Sequence, residues 1–461
     1  MHAARLATVG LCAVLLSGGA ARADDLGAPV VAPMVIPVGA PASPTDGPSL
    51  RTPGDEIVVF PEGSLQVDGA FFPRQTPKSG VFLRRARVGV SGWLGPSFYF
   101  DLSNDFAPMP PGGAEVAPSA LPAADASLAF APDGDHLIIQ AGQFDAPFTL
   151  ENRTSDTTTN FIERSMAART LGAPRNKEVG VMVHGSVGGD RLYYSAGLFN
   201  GEGPGFRNLD NQADAIGRVV FSPFAAGAEA WRRFSIGGSA WTGDRVSGPA
   251  FPVQATPGGL VFFEPHWVSG QVAPLSLALR EQGSVEAFGG ELSLPIGSRF
   301  GLRAEVVWKR QELAEADASL LPAGPLTPQG NAVLHGVAGY GEVWFWLLGD
   351  DQLLPAPGRE PPRRLARSDR PLGGDGLVLA LRGEVLKEDL DSDNPALSDP
   401  STATTRVFSG TAGMTYWRGR FVRLSANYVL NAWSGTSQTI RALAASGTFE
   451  HELLLRFAAS L

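Results

Sequence analysis

The sequence predicts an all-β chain, a transmembrane barrel of about sixteen antiparallel strands. Three observations predict it. From Gly63 onward, short segments alternate apolar and polar side chains with period two, and their polar faces carry full charges well inside the segments. The links between segments are by turns short and long, as in bacterial outer-membrane barrels. No run of eighteen apolar residues follows the N-terminal segment. The best, 332–348, is broken by His335 and Glu342, so no transmembrane helix is available.

The first element is "MHAARLATVGLCAVLLSGGAARADD". Arg5 forms a basic start, Leu6 to Leu16 an apolar core, and Ala21-Arg22-Ala23 a cleavage site. Residues 1–23 read as a signal peptide, with the mature chain starting near Asp24 and exported to the bacterial outer membrane. The single cysteine, Cys12, lies inside that peptide, so the mature chain has no thiol and no disulfide. Cleavage removes Arg5 and Arg22, leaving 35 Lys and Arg against 46 Asp and Glu, a net charge of −11. That balance argues against nucleic acid as a partner.

Residues 24–62 are rich in Pro and Ala and read as a periplasmic tail or linker. Residues 63–461 form the barrel. Strands are expected near 63–73, 80–92, 95–105, 124–131, 136–144, 178–188, 190–200 and 212–223, and then near 231–242, 283–295, 298–311, 333–347, 376–388, 405–417, 419–433 and 445–461. Very short links follow the second, fourth, sixth, tenth and fourteenth strands. Residues 348–375 are long yet fall on the short-link side, and 258–270, left outside the sixteen, is a further strand candidate.

The faces follow from parity. Leu302, Ala304, Val306 and Trp308 oppose Arg303, Glu305 and Lys309. Leu424 and Tyr428 oppose Arg423 and Ser425, and the last strand turns Leu453, Leu455, Phe457, Ala459 and Leu461 outward to lipid. Trp93, Trp241, Trp308, Trp344, Trp346, Tyr416, Trp417 and Trp433 lie near strand ends, where membrane-interface girdles are expected.

Enzyme chemistry finds no support. The six histidines are scattered without metal-ligand spacing, and no nucleophile elbow, phosphate loop or dinucleotide fingerprint occurs in a fitting context. No cofactor or metal is expected.

One stretch breaks the alternation: "GQFDAPFTLENRTSDTTTNFIERSMAARTLGAPRN", Gly142 to Asn176. Strand-free inserts of this length are usually functional or disordered. It carries apolar anchors at Phe144, Phe148, Leu150, Phe161, Ile162 and Met166, which a loop in water would not need. Together with "LQVDGAFF", "FLRRARVGVSG", "EVGVMVHG", "YYSAGLFNG" and "GRVVFSPF", it resembles the phosphate-selective porins O and P, clearly over about 65–225 and loosely thereafter.

That resemblance implies a sixteen-stranded homotrimeric porin whose third outer loop folds inward as a constriction. It further implies passive diffusion of small solutes, anions such as phosphate among them. Arginine suits phosphate because its planar donors meet it bidentately. The candidate pore residues are Arg153, Arg164 and Arg169 in the loop, with Arg85, Arg87, Arg218 and Arg303 on the wall. The alternative for each is pairing with Glu151, Glu163, Asp101 or Glu305 to hold the loop. From Gly142 to Lys177, five cations against four anions leave only +1. The chain ends in Leu461 where relatives end in an aromatic residue. Alternative functions are a plugged barrel with a structural or binding role, and a general or carbohydrate porin without anion selectivity. The Arg-rich run 359–370 reads as a solvated loop.

Overall fold

The computed structural model describes residues 49–74, 79–107, 123–173, 176–205, 208, 211–225, 231–246, 254–263, 277–317, 331–349, 374–392, 402–419, 421–447 and 449–461. All of them fall in one compact unit, 38–461. The signal peptide, most of the 24–62 segment, the Arg-rich run and Arg175 lie outside the described residues.

Sixteen strands close into an antiparallel barrel. The first eight are β1 Ile57–Phe71, β2 Gly80–Leu94, β3 Phe98–Asp105, β4 Ala123–Phe130, β5 Ile138–Asp145, β6 Lys177–Val187, β7 Leu192–Phe199 and β8 Asp214–Phe221. The second eight are β9 Ser235–Arg245, β10 Leu277–Ile296, β11 Phe300–Asp317, β12 Asn331–Leu348, β13 Asp375–Ser392, β14 Thr402–Arg418, β15 Val422–Gly435 and β16 Phe449–Ser460. Each pairs with its neighbours in sequence. β16 closes on β1 with Leu453 opposite Phe71 and Ser460 opposite Ser64. Before β1, Leu50 and Arg51 pair back onto Val59 and Val58. Strand structure therefore starts ahead of Gly63.

β12 and β13 are direct partners, so the strand count holds across 348–375, and the flanking strand ends, Leu348 and Asp375, lie on the short-link rim. In the tight link from β6 to β7, Gly188, Gly189 and Asp190 all have positive φ, which the two glycines adopt without strain.

The alternation read from sequence is the alternation in space. Leu102, Leu198, Val306, Leu381, Leu424, Tyr428, Leu455 and Phe457 are exposed on the outer face. Arg303, Glu305, Lys309, Arg423 and Ser425 are buried within the lumen. An apolar exterior around a polar interior suits lipid outside and protein or water inside. Among the described residues no helix is long and apolar enough to cross a membrane.

The aromatic girdle is a correction. Trp93, Trp241, Trp344, Trp346, Trp417 and Trp433 point inward and are buried, while only Trp308 and Tyr416 take the outward parity. The inward tryptophans sit beside cations: Arg303 lies 5.3 Å from the Trp344 ring, Arg423 5.3 Å from Trp417 and Lys309 4.6 Å from Trp241. The outer girdle on the short-link rim is phenylalanine instead, with Phe98, Phe130, Phe221, Phe300 and Phe345 exposed and Phe98 stacked on Phe130.

Candidate pore constriction

The insert between β5 and β6 runs inside the barrel. Its base is fastened by Asn152, whose amide donates to the carbonyls of Ala146 and Asn176. Its apolar anchors are sunk in the lumen: Phe144, Phe148, Leu150, Phe161, Ile162 and Met166 are almost fully buried. Phe148 meets Trp241 edge to face, and Phe161 packs among Trp344, Trp346, Val378, Ala380 and Trp417. Gly413 lets Phe161 approach the wall, since a Cβ there would lie 3.0 Å from the ring. A short π-helical turn, Ala167–Leu171, ends the crossing against β11 and β12.

Polar wall groups receive the loop's backbone, because a buried unpaired amide or carbonyl costs about 1–3 kcal/mol. Glu305 of β11 accepts from the amides of Leu150 (2.6 Å) and Glu151 (3.1 Å). Glu384 of β13 accepts from the Met166 amide (2.7 Å). Thr415 of β14 donates to the Asn160 carbonyl, and Arg423 of β15 donates to those of Thr159 and Asp156. Arg456 of β16 donates to the Ile162 carbonyl and to Glu163, and forks onto Asp68 of β1.

The predicted site residues divide by place. Arg85 contacts Asp156 (2.8 Å) and Glu163 (3.2 Å), and Arg87 joins Asp156 (2.9 Å) to Asp105 (3.0 Å). Arg164 staples the loop internally, donating to the carbonyls of Glu151 and Thr154. Arg169 donates to the carbonyls of Arg164 and Ala255. Arg153 is buried and donates to the Asp145 carbonyl. Arg218 forks onto Glu291, and Arg303 pairs with Glu342 at 3.1 Å. Arg85, Arg87 and Arg164 thus gather around Asp156, and the others stand apart. Burial pushes the Asp156 carboxyl up, but Arg85, Arg87 and Arg164 outweigh it and hold it below its ordinary range. Glu163 is held low in the same way, against burial, by Arg85, Arg84 and Arg456.

Several cations were missed from sequence. Arg456 was legible by parity, since it sits between outward Leu455 and Phe457, and Arg382 was legible too, since it follows outward Leu381 in the same alternation. Arg84 was not. A bulge sets Gln66 opposite Arg85 and Val67 opposite Leu83, which leaves Arg84 as the extra residue. Arg84 and Arg85 therefore both reach lumen carboxylates, Arg84 contacting Asp68 at 2.9 Å and donating to the Pro257 carbonyl. That carbonyl belongs to a second inward element, a small hairpin of Gln254–Ala255 and Val261–Phe263, which resolves part of the 258–270 ambiguity. It is tied to the wall through Gln254 to Glu388 and the Gly258 amide to Glu452.

Residues 66–245 match the family of phosphate-selective porins O and P. The match covers β1 from its middle through the end of β9 and includes the inward loop. By structure the barrel is similar to OmpT, an outer membrane protein of Vibrio cholerae. Its loop L8 deletion mutant aligns with TM-score 0.52 at 11% identity, over 88% of this chain and 100% of that one. OmpT expressed in the outer membrane aligns at 0.50 and 11%, over 89% and 100%. At that identity the likeness is one of fold. No curated protein sequence matches the chain.

Proposed function

We propose that this protein is an outer-membrane porin, a passive channel for small hydrophilic solutes narrowed by the loop between β5 and β6. The carrying observation is that this loop, inside the porin-family match, crosses the lumen and bonds to β2, β11 and β13–β16. The resemblance implies anions such as phosphate as the permeant class. Arginine chemistry supports that reading, but each of the seven candidate arginines already holds a carboxylate or a main-chain carbonyl. Phosphate would have to displace those partners in a setting where breaking a buried pair is costly. We therefore assign the loop arginines to holding the constriction rather than to a phosphate site.

Purified protein in planar bilayers should give discrete conductance steps, and deletion of residues 154–160 should enlarge them. Absence of any step favours the second reading, a barrel plugged by the loop and the inner hairpin.

We also propose a homotrimer in outer-membrane lipid. Eight-residue strands such as β3, β4 and β5 span only about 26 Å along their length at roughly 3.3 Å per residue. With a tilt of about 40° they stand shorter than the apolar band of about 25 Å. Packing of this low wall against sister subunits removes the mismatch. Light scattering in detergent should give three chain masses; a single chain mass rejects the trimer.

A further inference from the structure

We infer that the barrel holds a binding site for a small zwitterion of the amino-acid kind, built from Lys309, Gln311, Glu388 and Gln254. The inference goes beyond the porin reading and does not depend on conduction.

The four side chains come from three elements that meet inside the lumen. Lys309 and Gln311 are consecutive inward positions of β11, Glu388 is inward on β13, and Gln254 belongs to the inner hairpin. Lys309, Gly336 and Glu388 form one row across β11, β12 and β13. The hairpin reaches that row where the Gln254 amide donates to Glu388 at 2.8 Å. Lys309 is 4% exposed, Gln254 3%, Gln311 1% and Glu388 0%.

Polar groups buried to this degree almost always have hydrogen-bond partners. Neither the oxygen nor the nitrogen of the Gln311 amide has one, and the same holds for Oε2 of Glu388 and Oε1 of Gln254. The Lys309 ammonium lies 4.6 Å from the Trp241 ring and, among the described residues, pairs with no carboxylate. The fields of Asp214 on β8, Arg245 on β9 and Glu281 on β10 also reach Lys309, but those three groups are already engaged, with Arg245 contacting both carboxylates. Lys309 is in turn the charge whose field reaches Glu388.

Lys309 and Glu388 are kept from pairing with each other. Gly336 stands between them, and the loop's π-helical turn settles on it: a Cβ on Gly336 would lie 2.6 Å from the Leu171 side chain. The two charges spring from backbones two strand spacings apart, roughly 10 Å. A free ammonium on one side, a free carboxylate oxygen on the other and an amide open at both ends are the reverse image of a molecule with its own carboxylate and ammonium. The ligand's carboxylate accepts from Lys309 and the Gln311 nitrogen, and its ammonium donates to Glu388 and the Gln254 oxygen. Such charge-assisted bonds are the stronger kind. A simple anion or cation engages only half of the set. Entry lies past the hairpin, which meets this row through the Gln254 bond.

The experiment is titration calorimetry of the full-length protein in non-ionic detergent, with L-alanine, acetate, methylammonium and glycerol as probes. L-alanine should bind saturably and at least about tenfold more tightly than the other three, each of which lacks one or both of the charged contacts. Lys309→Met and Glu388→Gln should each weaken alanine binding by about tenfold or more. Both nearly conserve side-chain volume, and Lys309→Met removes a buried charge that has no counter-ion in contact, so the folded barrel should persist by circular dichroism. If one variant fails to assemble, the other decides. Glycerol bound as tightly as alanine, or alanine binding that both variants leave unchanged, overturns the inference. So does an absence of alanine binding, which leaves water as the partner of these groups. Conductance is read separately: a barrel that conducts without binding alanine keeps the porin reading, and one that binds alanine without conducting keeps this site.

Discussion

Arg85 presents one guanidinium to three acceptors: Asp156, Glu163 and the Gln66 side chain at 2.8 Å. The arrangement has a consequence for pH. Asp156 titrates below its ordinary value of 3.8 in the folded protein, because Arg85, Arg87 and Arg164 outweigh the effect of burial. A depressed carboxyl contributes stability that is complete above the unfolded value and lost only as pH falls below it. The pairs around Asp156 should therefore persist down to about pH 4. Asp156→Asn is expected to leave the shape of the conductance–pH curve between pH 8 and pH 5 unchanged; a step inside that window that disappears in the variant would show that Asp156 titrates there.

The inward loop is fixed chiefly by carboxylates that accept its amides. Glu305 is the clearest case, taking two amides and the Tyr340 hydroxyl at 2.9 Å. Glu305→Ala leaves those donors without partners, at about 1–3 kcal/mol each. The barrel should still form, while recordings should show flickering to larger conductance; a trace as quiet as wild type removes Glu305 from that role. The loop's place was legible in the sequence, because Phe148, Phe161 and Met166 are too apolar for a loop in water. Its partners were legible wherever parity held, as for Arg303, Glu305 and Arg423. Parity failed at the β2 bulge, where one added residue turned Arg84 inward. It also misplaced the aromatics, since nearness to a strand end says nothing about which face Trp344 or Trp417 occupies. The hairpin at 254–263 was legible only as a possible strand within 258–270, because two- and three-residue strands are too short to show a period.

The barrel itself was readable because each strand repeats one simple pattern and errors of a residue or two do not change the count. The unequal heights of its walls, by contrast, come from where pairing stops. β11, β12 and β13 run 18 residues each while β3, β4 and β5 run 8. Closure joins the first strand to the last, and that seam is where the order of assembly is decided. Arg456 on the last strand grips Asp68 on the first and, with the same side chain, the loop at Ile162 and Glu163. These partners lie hundreds of residues apart, so their pairing is the slowest kind to find. The loop must already be threaded when the seam shuts, or Arg456 is shut in with half of its partners missing. Arg456→Ala should accordingly slow the appearance of closed barrel when the urea-unfolded chain refolds into detergent, by about tenfold or more for a loss of at least 1.4 kcal/mol in the closing step; an unchanged rate would mean the seam zips before the loop arrives. A single residue near the C-terminus thus acts as the latch that lets the wall close only around a finished interior.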